Sequence, residues 1–576
     1  MSFHHRYAVL IGGVSGVAAL ALAIASTSTA AAHRPGGAAT AQAAGQAPTA
    51  IVARPPLGRP KPSGLAPDLR PAGTADTAGT AGSAASPWTP LKNAPPFGTP
   101  GTMLLESDGT VLVHDEPNNA TTAGSEAWWK LTPDSHGSYI DGTWSQIASM
   151  SAGYAPEYFA SAVLPDGRMI VEGGEYIGND GVWSDQGAIY NQVTNTWASV
   201  APPPGWTNIG DAASEVLANG TFMLQHPCNT CTTDPNPTVD DALLNAKTLK
   251  WTVIPGTGKN DPNDEEGWTL EPNGHLLTVD AWVPGATQLF SPGTQTWSFA
   301  GNTAPGGSPV NLFPVVEIGP QVEMPGGNTF VVGAGTSQQE PPTPCTDNAP
   351  TQTALYNYRS ATWTAGPEIP AIGGQEMAST DGPGSVLPNG NVLFDVSACM
   401  YNAPTHFFVY NASSSTLTQI PDVPNAPNDS SYYTRMLALP NGQVLFSDNS
   451  SDMEVYTAGG TPQGSWRPSI TSLSSTTLAP GGTYSLSGKQ LAGLDQGATY
   501  GDDVQDNTNF PLVRITNAKT GAVTYARTSN WTSVSVAPGT RSSTQFALPP
   551  GTPTGKSTLV VVANGIASSP VTVTIS

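Results

Sequence analysis

A hairpin turn that occurs seven times constrains this chain more than any other feature. It reads "ESDGTVLV", "LPDGRMIV", "LANGTFML", "EPNGHLLT", "MPGGNTFV", "LPNGNVLF" and "LPNGQVLF", with first turn residues Asp108, Asp166, Asn219, Asn273, Gly326, Asn389 and Asn441. Asp-Gly and Asn-Gly between alternating apolar residues tolerate the positive φ angles of a tight β-turn. The turns stand 52 to 63 residues apart. A second series runs in phase with them, as "AIYNQVTNTW", "ALLNAKTLKW", "TQLFSPGTQTW", "ALYNYRSATW" and "FFVYNASSSTL". Each reads as two further strands ending in a bulky residue: Trp197, Trp251, Trp297, Trp363 and Leu417, with Trp144 in the same place in the first unit. Four short strands per period of about 50 residues indicate a β-propeller, and seven units make seven blades.

The repeat is of kelch type, and the tryptophans are expected between blades. One more copy of the terminal tryptophan, Trp88 in "SPWTPL", precedes the first hairpin, while the seventh unit ends at "MEVYTAGG". A strand at Trp88 is therefore expected to complete blade seven beside Val455 and Tyr456, which closes the ring and removes its open edges. With 62 Gly, 55 Pro and only 11% charged residues, the composition also favours an all-β chain. From Trp466 the period stops, and short alternating strands continue to Ser576. The expected fold class is an all-β, seven-bladed kelch-type β-propeller (87–465) followed by an immunoglobulin-like (early-set) β-sandwich (466–576).

Residues 1–32 begin with a short basic stretch, continue with an apolar run from Ala8 to Ala25 and end in small residues. This is the layout of a secretory signal peptide, either cleaved near Ala30 or Ala32 or retained as an anchor. Residues 33–86, rich in Ala, Pro, Gly and Thr, have nothing with which to build a core and read as a disordered tether. The expected location is secreted and extracellular, with no membrane contact beyond such an anchor. A net charge of −22 and a pI near 4.5 exclude nucleic acid as a natural partner. Four cysteines in a secreted chain favour disulfides. Cys345 and Cys399 each follow the second strand of a blade, in neighbouring loops of one face, and are expected to pair. Cys228 and Cys231 in "HPCNTC" close a tight ring or stay reduced.

The turns line one face of the propeller and the open hairpin ends line the other. Eight residues before the turns stand Pro100, Tyr158, Asp211, Glu265, Ile318, Asp381 and Tyr433. Seven after them stand Asp115, Gly173, His226, Asp280, Gly333, Val396 and Asp448, with Asp395 one residue off this register and Tyr176 ten residues after its turn. The candidate ligand-binding residues at the open-end mouth are Asp211, Glu265, Asp381, His226 and Arg435. Asp115, Asp280 and Asp448 are candidate metal ligands, with calcium the possible ion. Crowded carboxylates raise one another's pKa and invite a proton or a cation, whereas widely spaced ones are simply solvated.

Seven such blades, then a sandwich entered through "RPSITSLSSTTLAPGGTYSLSG", resemble galactose oxidase and its glyoxal oxidase relatives. The resemblance implies one copper held by two tyrosines and two histidines, one tyrosine being thioether-linked to a cysteine beneath a stacked aromatic ring. Tyr158 falls at the cross-linked tyrosine, Tyr176 at the stacking ring and Tyr432 at the axial tyrosine. Tyr433 stands where a histidine ligand is implied, and Thr99 where the cysteine is. The last histidine, from the sandwich, aligns loosely with Arg527. Without the thioether and two imidazoles, copper chemistry is not expected here.

Two functions stay open. One is a non-catalytic module that binds an extracellular ligand such as a glycan or small molecule on the aromatic, acidic mouth. The other is an enzyme on the same face: a carbohydrate-active enzyme with a carboxylate pair, or a divergent metal-dependent oxidase.

Overall fold

The computed structural model describes residues 86–576 except 117–124, 179, 228–238, 262–264, 282, 284, 304–309, 311, 313–316, 337–344 and 502–505. The expected signal peptide, the expected tether up to its last residue, and Cys228 and Cys231 lie outside the described residues.

Each repeat folds as one antiparallel sheet, and there are seven. Blade one is Pro100–Leu105, Val111–Asp115, Trp128–Thr132 and Thr143–Gln146, from the channel outwards. The turn residues act as the sequence implies. In blade two Gly167 has φ 85°, and the Asp166 side chain accepts the Arg168 N–H at 3.1 Å. Blade seven takes its outermost strand from the start of the chain: Trp88–Pro90 pairs antiparallel with Glu454–Tyr456, Trp88 opposite Tyr456. The ring is closed by non-covalent pairing.

The tryptophans do more than fill space between blades. The Trp88 indole N–H donates to Pro421 O of blade six at 2.7 Å, Trp144 to Asn93 O at 2.9 Å and Trp197 to Ala148 O at 2.8 Å. Trp251 donates to Ala201 O at 2.9 Å, Trp297 to Asp241 Oδ2 at 2.9 Å, and Trp363 to Thr287 Oγ1 at 3.1 Å. In every case the acceptor belongs to the preceding blade or the chain leaving it. Blade six has Leu417 here and cannot make this bond. Its joint with blade five carries the disulfide Cys345–Cys399 instead, with Phe330 and Tyr410 stacked at 4.2 Å. The expected pairing is present.

A second sheet-rich region runs from Ser469–Leu473 to Val571–Ile575, with its own core of Leu486, Phe546, Val513, Leu559 and Val573. It packs on the turn face. Gly390 lies under the Trp466 ring and Gly109 against the Tyr525 ring, where a Cβ would come within 2.5 and 2.6 Å. Backbone bonds fix the contact: Thr528 N–H to Ser107 O, Val523 N–H to Ser135 O, and Val534 N–H to Ala218 O. Residues 491–501 leave this region as an arm and enter the channel. There Ala498–Thr499 pairs with Gly384 and Ser385 of blade six, and Gln496 accepts the Leu270 N–H of blade four at 2.9 Å.

The inter-blade joints predict graded losses. Trp251→Phe keeps the ring but leaves the Ala201 carbonyl without this donor, and should cost about 1 kcal/mol. Trp251→Ala should cost about 3–5 kcal/mol. Replacing Cys345 and Cys399 by serine should cost about 2–4 kcal/mol. Urea titration followed by tryptophan fluorescence measures all three, and equal losses for Trp251→Phe and Trp251→Ala would remove the hydrogen bond from this account.

Candidate functional site

The open-end face gathers an aromatic group from four segments: Tyr158, Tyr176, Met400, Tyr401 and Tyr432 are buried together, with Tyr433 half-buried against them. Tyr158 and Tyr176 meet edge to face, 6.2 Å apart at 66°. Tyr432 and Tyr433 lie 4.0 Å apart, and Tyr401 packs edge-on to Tyr432 at 5.2 Å. Tyr158 has φ 50°, in the left-handed region, as do Glu265 at 57° and Asp381 at 51°. These three share the position eight residues before the turn, so the register read from sequence corresponds to one recurring backbone feature.

Arg435 is the cation of this group. Its side chain is buried, its guanidinium carbon lies 5.5 Å from the Tyr158 ring centre and 4.0 Å from that of Tyr500, and it donates to Tyr432 O and Thr434 O at 2.9 Å each. Tyr500 comes from the channel arm, and its hydroxyl donates to Tyr432 O at 2.8 Å. Asp506, further along the arm, is also buried. Its carboxyl is pushed up by burial, and Arg435 only partly opposes this.

Copper does not fit these residues. Thr99, at the implied cysteine, donates its hydroxyl to Asp115 Oδ1 at 3.1 Å. No imidazole among the described residues joins the tyrosines. His226 stacks on Trp206 at 4.0 Å, and burial lowers its pKa to about 4. His114 stacks on Trp128, and His406 pairs with Asp422. The cation held near the Tyr158 ring is the Arg435 guanidinium, and without two imidazoles a cupric ion lacks the nitrogen ligands it prefers. Arg527 corrects the loose alignment: it lies on Val523–Ser529, on the turn face, while the arm with Tyr500 reaches the tyrosines.

The carboxylates divide into separate groups. Glu265 and Asp381 converge as the sequence suggests, and they do so with Glu317: one oxygen from each lies within 4.8 Å of the others. These are the side chains that could hold a hard divalent cation such as calcium. Asp211 is buried but belongs to neither three-carboxylate group. Asp280 sits with Asp261 and Glu266 around the buried Lys259 ammonium, which is 2.7 Å from Glu266 and 3.4 Å from Asp280. That group already contains a cation. Asp448 is hydrogen-bonded to Asp429, and Asn425 Nδ2 donates to both, at 2.8 Å to Asp429 and 3.3 Å to Asp448. Asp395 accepts the Thr434 hydroxyl at 2.7 Å. Sequence reasoning passed over Glu317, Lys259, Asp429, Tyr401 and Tyr500. Only Glu317 had a usable signal, as the neighbour of Ile318 in the register.

No family model matches the chain, and no curated protein matches it. Among solved structures it is similar to one described as "Novel fungal alcohol oxidase with catalytic diversity among the AA5 family, in complex with copper", at 12% identity and a TM-score of 0.48, covering 85% of this chain and 99% of that one. A likeness at that level assigns neither family nor activity, and the fold rests on the sheets described above.

Burial raises many of these acids. Glu215, Glu271 and Glu454 are pushed up to about 8, Asp241, Asp280 and Asp495 to about 7, and Asp429, by burial and then by Asp448, to about 10. The folded state thus binds protons that the unfolded chain releases near pH 4, so stability falls as pH rises from about 4 towards 10. The melting temperature should be higher at pH 5 than at pH 8. Asp429→Asn, whose amide can donate to Asp448 as the protonated acid does, should flatten part of that fall. A melting temperature that climbs from pH 5 to pH 8 would contradict the assignment.

Proposed function

We propose that this chain is a secreted, non-catalytic binding protein, a kelch-type propeller with an immunoglobulin-like module, whose tyrosine-rich face engages an extracellular glycan. The supporting observation is the cluster of tyrosines gathered on this face, with Arg435 held near the rings of Tyr158 and Tyr500. The half-buried Tyr433, its ring 4.0 Å from that of Tyr432, carries the solvent-facing aromatic surface of this group, on which the C–H face of a sugar ring can pack. Ligand hydroxyls would find acceptors in carboxylates of the same face.

One observation favours a second reading. Glu265, Glu317 and Asp381 bring three carboxylates together, and a carboxylate pair held about 5 Å apart is what glycoside cleavage with retention uses.

A glycan array followed by product analysis separates the two. Intact release of the bound glycan, with affinity at least tenfold weaker in Tyr433→Ala, is expected. Turnover that disappears in Asp381→Asn would establish the enzyme. Protein incubated with copper and an oxidant is expected to release no peroxide from galactose or small aldehydes, and peroxide in proportion to bound copper would overturn the non-oxidase reading.

A further inference from the structure

On the opposite face, a cleft of about 490 Å³ lies between the propeller and the C-terminal sheets. One wall is the first turn of blade one, at Asp108 and Thr110, with the outer hairpins of blades one and two at Asp134 and Val193. The other wall is Tyr525 and Arg527, with Pro549 and Pro550 beyond them. The walls are held in register by the bonds from Thr528 N–H to Ser107 O and from Val523 N–H to Ser135 O. Gln192, also in the lining, ties the two turns by donating to Ser107 Oγ and Gly167 O at 2.9 Å each. The cleft is preformed, and its volume falls in the range of small-molecule sites.

We infer that this cleft is a second binding site, for a neutral oligosaccharide. Arg527 is half-buried there, and among the described residues no hydrogen bond or ion pair holds its guanidinium. Glu106 is buried nearby, burial and then Asp108 push its pKa well up, and no ion pair joins it to Arg527 among the described residues. Asp108 uses Oδ1 for the Thr110 N–H and hydroxyl, and Asp134 uses Oδ1 for the His136 and Ser138 N–H groups. Asp108 keeps Oδ2 as an acceptor, and Asp134 Oδ2, 3.7 Å from His136 Nδ1, can take a further donor. One fork of donors between two acceptors suits a row of hydroxyls, each of which both donates and accepts. It does not suit an anion, which the aspartates would repel. The prolines and Val193, 66% exposed, offer the apolar surface that a sugar ring covers.

The inference is independent of the tyrosine face, and the test keeps the two apart by removing that face first. In a full-length Tyr433→Ala background, calorimetry with xylohexaose, cellohexaose and hexa-N-acetylchitohexaose should detect one site per chain for at least one of them. Its affinity should change little between 50 mM and 500 mM salt. Arg527→Ala should weaken it at least tenfold. Val193→Trp, which fills the cleft from an exposed position without disturbing the core, should do the same with an unchanged melting temperature. Absence of binding by all three neutral hexasaccharides would overturn the inference. So would binding that survives both substitutions, or a site that takes only an oligogalacturonate and loses it in salt.

Discussion

Six of the seven joints in this ring depend on one interaction: an indole N–H on the outermost strand reaching the preceding blade. The ring itself fills the wedge between neighbouring sheets, and the single polar hydrogen fixes how far one blade can slide against the next. A donor shielded by that much apolar surface would be expensive to strand, so the bond selects one register and not merely contact. The joint between blades five and six tests this reasoning internally. It lacks the tryptophan, because Leu417 stands there, and it is the joint that carries the Cys345–Cys399 disulfide. A covalent link and an aromatic stack do there what the indole does elsewhere.

With the periphery fixed in this way, the centre is free to be polar. Inner strands that only need to meet across a channel leave room for an arm from the C-terminal sheets, and residues 491–501 and 506–510 take it. Gln496 and Asn507 donate to the buried Glu215 of blade three, and Tyr500 bonds the carbonyl of Tyr432. The arm therefore couples blades that share no edge. It also sets what the aromatic face can do, since Tyr500 is one of the two rings that hold the Arg435 guanidinium. The ring faces offset part of the hydration the buried cation loses, and the carbonyls of Tyr432 and Thr434 accept its N–H groups.

The fold was legible because its determinants are local and repeated. A turn glycine, an alternating strand and a terminal tryptophan recur in register, and even the closing strand at Trp88 announces itself as an extra copy. The site was legible only by position. Counting from the turns placed Tyr158, Glu265 and Asp381 in equivalent places, and their shared positive φ bears out that equivalence. Counting could not tell which carboxylates meet, because the partners come from segments with no repeat. Lys259 sits in a connection between blades and neutralises the group around Asp280, while Asp429 lies in a loop of blade six and converts Asp448 into half of a proton-sharing pair. Arg527 was misplaced for the same reason: its strand was visible in the sequence, but not which face of the disc that strand covers.

The buried acids then explain a feature of composition that a surface argument cannot. A chain with 43 acidic and 21 basic residues would ordinarily place its excess negative charge in water. Here Glu106, Glu172, Glu215, Glu271, Glu323, Asp395 and Asp506 are each buried at 2% exposure or less. Burial pushes every one of them up, so part of the formal charge is not expressed in the folded state near neutral pH. Protonated carboxyls can donate as well as accept, which lets Glu271 and Glu323 share the Thr329 hydroxyl at 3.0 Å from Glu323 without two facing charges. Among the described residues the interior thus combines acids whose pKa burial raises with the buried side-chain cations Lys259 and Arg435. Such an interior is most secure at mildly acidic pH, because each acid raised by burial holds in the folded state a proton that the unfolded chain releases.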